Sequence, residues 1–179
     1  AKDSRIIWSQ ETHEIRLTNA VAGAIVGLSE VKNSTLGLDG SGERIAFMDT
    51  GIDQDHPDIS GRVIGPYTQY GLDSSPADTN GGHGTHVAGI VGAEANNNEG
   101  ISGIAWNTQL MPIIPGDSIT QSLHYAIDHG ADVINISLGL ERKDTPEESM
   151  SAEKYQLLKN AFQKAHDNDV FITISSGNE

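Results

Sequence analysis

The chain has 179 residues, of which 25 are acidic and 11 are basic, so its net charge is −14. A surface of this sign repels a phosphate backbone, which argues against nucleic-acid binding, and the absence of cysteine excludes disulfides and thiolate metal sites. Apolar residues make up 36% of the chain, enough for a hydrophobic core, and no apolar run approaches the roughly 20 residues of a membrane span.

The two parts of the chain differ in their structural signals. Residues 1–40 match no regular pattern well and are predicted to be an N-terminal extension, with a helix-compatible stretch at 20–31. From residue 41 onward, short apolar runs alternate with helical patterns. Buried strands are predicted by the apolar runs that begin at Arg44, Leu110, Val133 and Val170.

Three helical patterns separate these runs. The first begins at His83 and is rich in small residues, which permit close packing. The second follows Asp117 or Ser118, and either side chain can cap it. The third is predicted to begin after Thr145, where a capping box is followed by proline at the first helical position. Its apolar face is predicted to comprise Tyr155, Leu158, Ala161, Phe162 and Ala165.

The order of these elements is strand, helix, strand, helix, strand, helix, strand. It predicts an α/β domain with a doubly wound, mostly parallel sheet, right-handed crossovers and helices on both faces. Ligands gather at the carboxyl ends of strands in such a sheet. Asp49 follows the first strand, Asn178 follows the last strand, and His83 opens a crossover helix, so we expect the three side chains at one edge of the sheet.

These residue types suit acyl transfer. A carboxylate such as Asp49 can accept the N–H of an imidazole and fix its tautomer, and the imidazole then serves as a general base. The Asn178 amide offers an N–H donor to a developing oxyanion.

Three motifs resemble, in order, those of the subtilisin family of serine proteases: DTGID at 49–53, HGTHVAG at 83–89 and SSGN at 175–178. The resemblance implies that Asp49 is the triad aspartate, that His83 is the general base and that Asn178 is the oxyanion-hole asparagine. It further implies a substrate cleft lined by Ser137, Leu138, Gly139, Ser176 and Gly177, in which the peptide pairs like an added strand.

The family's nucleophile lies in a Gly-Thr-Ser-Met-Ala motif several dozen residues beyond the asparagine, and no Gly-Thr-Ser occurs here. We therefore expect residues 41–179 to be the N-terminal part of a subtilisin-like catalytic domain, with an incomplete fold and no activity of its own. The implied partners are a peptide or protein substrate and the remaining C-terminal part, in the same polypeptide or as a separate chain. The implied location is extracellular. The alternative is a catalytically dead subtilase-fold module with a binding or structural role.

The resemblance also implies a structural calcium ion. Asp58 matches a calcium-binding position of many relatives, and the loop at 95–101 resembles the other half of that site. The expected ligands are the side chains of Asp58 and Asn97 and the backbone carbonyls of Ala95, Glu99 and Ile101. The alternative is an ordinary asparagine-rich turn.

Two other site classes have partial matches. His83 and His86 are three residues apart and could bind zinc, but no pattern supplies a third ligand, and His86 is expected to be a buried partner that orients the site. The run FMDTG at 47–51 resembles the aspartic-protease signature. That class needs two carboxylates in an all-β fold, whereas helices follow here.

Overall fold

The computed structural model of the chain describes residues 23, 25–32, 36–69, 78, 81–138 and 151–176. The described strands are β1 (Arg44–Met48), β2 (Tyr67–Thr68), β3 (Gln109–Ile114), β4 (Val133–Ile136) and β5 (Phe171–Ile174). The described helices are α1 (Leu28–Lys32), α2 (His83–Gly92), α3 (Ile119–Asp128) and α4 (Ala152–Asp167).

In this part of the chain the strands form one sheet in the order β2-β3-β1-β4-β5, and every pairing is parallel. After β1 the chain forms β2 and β3 on one side of β1, and it then forms β4 and β5 on the other side. The direction of winding therefore reverses at β1. Ligands bind at such switch points, beyond the carboxyl ends of the strands. The predicted doubly wound α/β fold is confirmed, and it leaves no place for the all-β aspartic-protease alternative. The short edge strand β2 was not predicted, because two residues give no periodicity.

Helices cover both faces of the sheet. Successive side chains of a strand point to opposite faces, so Ala46 and Met48 of β1 pack in a core with α3 and α4, whereas Phe47 packs with Ile52 and with Ala88 of α2. The central strand is therefore buried from both sides. Its carboxyl end is enclosed as well, because Phe47 and Met48 are both fully buried.

Helix α3 agrees with its sequence pattern, whereas α4 departs from it in two ways. Helix α3 is capped by Ser118, whose hydroxyl accepts the N–H of Gln121. Helix α4 begins at Ala152 and is capped by Ser151, so the predicted start after Thr145 is wrong for the described helix; Thr145 itself lies outside the described residues. Tyr155 is exposed rather than part of the apolar face. The buried positions of α4 are Ala161 and Ala165, because its contact with the core lies in the C-terminal half.

Strand β5 is paired with β4 on one side and has no described strand on the other. Phe171 and Ile174 are 66% and 55% exposed, although the apolar run predicted a buried strand. Of the residues expected to be N-terminal extension, the structure describes the short helix α1. Within the described ranges, no helix has both the length and the apolarity needed to cross a membrane.

Candidate active site

Asp49 and His83 are in contact at the carboxyl end of β1. The N–H of Asp49 donates to the carbonyl of Ile113, which continues the ladder between β1 and β3 and fixes the backbone of the aspartate. His83 is the first residue of α2, and its Nδ1 lies 2.7 Å from Oδ1 of Asp49. The side chain of Asp49 is 1% exposed and that of His83 is 58% exposed. The structure thus brings the predicted pair together, with the carboxylate inside and the imidazole at the surface.

This geometry sets the protonation pattern of the imidazole. A hydrogen bond from Nδ1–H to the carboxylate of Asp49 leaves the lone pair of Nε2 free to accept a proton from another group. Oδ1 of Asp49 also accepts the N–H of Thr50 at 2.7 Å, whereas Oδ2 is buried with no partner among the described residues.

The backbone around Asp49 touches the first turn of α2. A Cβ at Gly84 would overlap the carbonyl oxygen of Gly51, so only glycine permits this approach. The N–H of Gly84 donates to Oγ1 of Thr50 at 3.0 Å. Gly82, which precedes His83, has a φ of 81° and occupies the N-cap position without a capping side chain. Main-chain contact therefore sets the distance between the aspartate loop and the histidine.

Asp78 accepts hydrogen bonds from both the aspartate loop and the first turn of α2. Its Oδ1 accepts the hydroxyl proton of Thr50 at 3.0 Å, and its Oδ2 accepts the N–H of Thr85 at 2.8 Å. The hydroxyl of Thr85 in turn accepts the N–H of Asp53 at 2.9 Å. Sequence reasoning did not identify Asp78, whose only signal was a polar loop upstream of a helix. Thr50, Asp53 and Thr85 lie within the quoted motifs, but sequence reasoning assigned them no supporting role.

Only some of the residues predicted to line the cleft lie near Asp49 and His83 in the described structure. Ser137 and Leu138 follow β4 and are half-buried; the N–H of Ser137 donates to the carbonyl of Met48 at 3.3 Å, and its hydroxyl accepts from Nδ2 of Asn135 at 2.7 Å. Ser176 follows β5 and is exposed. Three further predicted site residues lie outside the described residues, namely Gly139, Gly177 and Asn178. The roles of all these residues stay predictions.

A second cluster surrounds Asp58, which is 3% exposed. Its Oδ1 accepts from Nδ2 of Asn97 at 2.7 Å, and its Oδ2 accepts the N–H of Ile101 at 3.0 Å. The N–H of Glu99 donates to Oδ1 of Asn97 at 3.1 Å. A Cβ at Gly100 would overlap the carboxylate, so the loop wraps closely around Asp58. The structure thus brings together four of the five residues expected to bind calcium.

The fifth, Ala95, precedes two asparagines with left-handed backbone, Asn96 and Asn98, whose φ values are 64° and 62°. The donor set fits calcium, which takes carboxylate, amide and backbone oxygens. The N–H groups that satisfy Asp58 are equally those of a metal-free asparagine turn, so both interpretations stay open. Within the described residues, no three His, Cys, Asp or Glu side chains are grouped to hold a metal ion, and zinc gains no support.

Arg62 connects this cluster to Thr108, the residue that precedes β3. Its Nη2 donates to the backbone carbonyl of Asp58 at 2.7 Å, and its Nη1 donates to the carbonyl of Thr108 at 3.3 Å. Burial lowers the pKa of Arg62, while the charges of Glu94 and Asp58 act in the opposite direction. Because an arginine ordinarily loses its proton only above about pH 12, the guanidinium stays charged at neutral pH.

A pocket of about 410 Å³ separates the two clusters. Its polar lining includes Asp53, His56, Asp78, Thr85 and His86. The expectation that His86 is buried is wrong, because its side chain is exposed. The buried face of α2 carries Gly84, Ala88, Gly89 and Gly92, and position 86 falls on the other side of the helix.

Comparison with known proteins places the chain among proteases. The model of the subtilase family matches residues 40–179. The thermophilic serine proteinase of Bacillus sp. (strain AK1) is 39% identical over 146 residues, which cover 77% of this chain and 33% of that protein. Thermitase of Thermoactinomyces vulgaris is 40% identical over 109 residues, which cover 56% of this chain and 39% of thermitase.

A solved structure agrees with these relatives. The crystal structure of fervidolysin from Fervidobacterium pennivorans, a keratinolytic enzyme related to subtilisin, matches with a TM-score of 0.62 and 28% identity, covering 86% of this chain and 24% of that one. The chain spans less than half the length of each of these proteins.

Proposed function

Because this chain belongs to the subtilase family, we propose that it supplies the aspartate and the histidine of a serine endopeptidase whose nucleophilic serine lies outside these 179 residues. The observation that carries the proposal is the 2.7 Å contact between the buried carboxylate of Asp49 and the exposed imidazole of His83. The substrate class is a peptide or protein.

The chemistry follows from that contact. Asp49 holds Nδ1–H of His83, so Nε2 is the basic nitrogen. Nε2 accepts the serine proton as the serine oxygen attacks the scissile carbonyl, and it later returns that proton to the leaving amine. Asn178 is proposed to donate to the oxyanion. The backbone of Ser137 and Leu138 is proposed to pair with the substrate as an added strand.

Substitution of the pair in the whole protease tests the proposal. His83→Ala removes the base and is expected to lower kcat by about 10⁶-fold, whereas Asp49→Asn disturbs its tautomer and is expected to lower kcat by about 10⁴-fold, the sizes of loss found for triad histidines and aspartates in other serine proteases. The matched control is His166→Ala, because His166 is an exposed histidine on α4. Peptide hydrolysis and labelling by a fluorophosphonate probe are the measurements.

Full activity in His83→Ala, or an equal loss in His166→Ala, would contradict the proposal. A wild-type protease that hydrolyses no peptide and that the probe does not label would favour the catalytically dead module instead.

We further propose that Asp58 and the loop at 95–101 hold a structural calcium ion. The close wrapping of the loop around the carboxylate of Asp58 supports this assignment, and the carboxylate, amide and backbone oxygens of these residues are of the kinds that calcium takes. An ion that binds only the folded state stabilises it by about 2.7 kcal/mol at one hundred times its Kd. Calcium is therefore expected to raise the melting temperature relative to a chelator. Asp58→Asn is expected to abolish this response, and exposed Asp117→Asn is expected to retain it.

Equal melting in calcium and in chelator would remove the metal assignment and leave the asparagine-rich turn. A calcium response that survives Asp58→Asn would place the ion elsewhere.

An extracellular location is also proposed. The relatives include proteins named as extracellular and others named as intracellular proteases, so membership of the family leaves the compartment open. The proposed calcium site favours the outside of the cell, where calcium is abundant enough to fill sites of modest affinity. Fractionation of the source cells tests this location, and recovery of the protein only from the cell interior would contradict it.

A further inference from the structure

Helix α2 begins at the candidate base without a cap of its own. The first N–H groups of a helix have no partners within the helix and usually bind the side chain of the N-cap residue. Here that residue is Gly82, which has no side chain to offer. The acceptors come from elsewhere, because Gly84 N–H donates to Thr50 and Thr85 N–H donates to Asp78.

These two acceptors are themselves linked. A threonine hydroxyl has one proton, and that of Thr50 is donated to Oδ1 of Asp78 at 3.0 Å. Its oxygen lone pairs are therefore left to accept the N–H of Gly84. The backbone N–H of the same threonine donates to Oδ1 of Asp49. A continuous series of hydrogen bonds thus runs from Asp78 through Thr50 to Asp49 and His83.

We propose that Asp78 is a positioning residue for His83: its carboxylate clamps the loop that carries the triad aspartate against the helical turn that carries the base. This inference rests on the proposed function of the Asp49–His83 pair. A carboxylate suits the task because its two oxygens accept one bond from each segment at once. Its negative charge is also favourable at a helix N-terminus.

The two segments that Asp78 joins, the aspartate loop and the first turn of α2, are already packed closely together. The backbone of Gly84 already touches the carbonyl of Gly51, so the two segments cannot move closer. Loss of the clamp can only let them separate or slide. A displacement of this kind lengthens the bond from His83 to Asp49, and catalysis is steeply sensitive to such errors.

The first test compares single and double variants of the whole protease. In Asp78→Asn the remaining oxygen can still accept the N–H of Thr85, but the amide NH₂ cannot accept the hydroxyl of Thr50. We expect kcat to fall about tenfold, the value of one charge-assisted hydrogen bond, with KM within about twofold of wild type. Thr50→Val removes the same hydroxyl. The double variant is therefore expected to be no slower than Thr50→Val alone.

The matched control is Asp167→Asn, because Asp167 is an exposed aspartate at the end of α4 and accepts a hydrogen bond from Gln163. It is expected to keep wild-type kcat and KM. Melting temperatures of all variants are measured alongside, so that the assays are run where each variant is folded.

The second test does not depend on turnover. The proton shared by His83 and Asp49 is expected to give a resolved downfield NMR signal in the wild type. In Asp78→Asn this signal is expected to broaden or vanish through exchange with water, and in Asp167→Asn to persist. If the wild type hydrolyses nothing but the signal responds in this way, the proposed function fails and the positioning role stands.

Three results would overturn the inference. The first is a kcat and an NMR signal that Asp78→Asn leaves unchanged, even with a lower melting temperature, since the role would then be structural. The second is a change confined to KM, which would place Asp78 in substrate binding. The third is a double variant in which the two losses multiply, since the residues would then act independently.

Discussion

Strands β1 and β5 belong to the same parallel sheet, yet their side chains lie in opposite environments. Phe47 of β1 is fully buried between strands and helices, whereas Phe171 of β5 is 66% exposed. The Asp49–His83 pair extends from the enclosed strand, and Ser176 of the predicted cleft follows the exposed one. The proposed proton-transfer pair is thus supported within the described chain, whereas one wall of the predicted cleft follows the least covered strand of the described sheet.

The largest contrast is expected from the same substitution at the two phenylalanines. Phe47→Ala leaves a cavity in a closed core and is expected to lower the free energy of unfolding by about 3–5 kcal/mol. Phe171→Ala removes a ring that is mostly in water and is expected to cost no more than about 0.5 kcal/mol. Urea denaturation of the 179-residue chain measures both, after circular dichroism has established that the chain unfolds in one cooperative transition.

The result at Phe171 can contradict the difference in burial between β1 and β5. If Phe171→Ala lowers the free energy of unfolding as much as Phe47→Ala does, another part of the chain covers β5 and its side chains are buried like those of β1. If the two costs differ as expected, the same pair measured in the whole protease will show how far the rest of the domain covers Phe171.

The next effect concerns the contact between α2 and the aspartate loop. Gly84→Ala forces a methyl group against the carbonyl of Gly51 and is expected to cost at least about 1–3 kcal/mol, as overpacking does elsewhere. The matched control, Gly89, lies five residues further along the same helix. A Cβ at Gly89 would meet only Cδ1 of Ile101 at 3.8 Å, which is ordinary contact.

Gly89→Ala is therefore expected to be neutral or to stabilise the helix by up to about 1 kcal/mol. Equal stability of the two variants, measured in urea, would show that the enclosed end tolerates more movement than its packing indicates.

The smallest effect is expected at the ion pair that connects α3 and α4. Nζ of Lys164 donates to Oδ1 of Asp128 at 2.5 Å, and both side chains are partly exposed to solvent. Lys164→Met is expected to cost about 0.2–1 kcal/mol, because exposed ion pairs contribute little, and the cost is expected to shrink in high salt. Exposed Lys159→Met on the same helix serves as the control. A loss of several kcal/mol would mean that this layer depends on the ion pair rather than on Ala161 and Ala165.

Sequence alone could predict the features that short-range patterns determine. The apolar runs gave the central strands, and the motifs that follow them placed Asp49 and His83 at one edge because parallel strands end together. A helix cap by Asp117 or Ser118 was predicted for the same reason, since a cap depends on neighbours in the chain, and the structure selects Ser118.

The features that could not be predicted depend on distant segments. The run at β5 has the composition of a buried strand, but burial depends on what packs against it, which its own residues do not specify. Likewise, nothing in the loop before His83 indicates that Asp78 reaches Thr50, 28 residues earlier in the chain. His86 was expected to be a buried partner that orients the site, whereas the helical period of α2 places it at the surface.

The contact of Gly84 with Gly51 has a practical consequence for directed evolution. Because two stretches of main chain set the spacing of the aspartate and the histidine, no choice of side chain at position 84 can retune that spacing. A library that randomises this codon is expected to yield almost only inactive clones. Diversity introduced at Ser137 and Leu138, which are predicted to line the cleft, is expected to leave the contact between Asp49 and His83 in place. New specificities are best sought along this predicted cleft wall, with the glycine kept fixed.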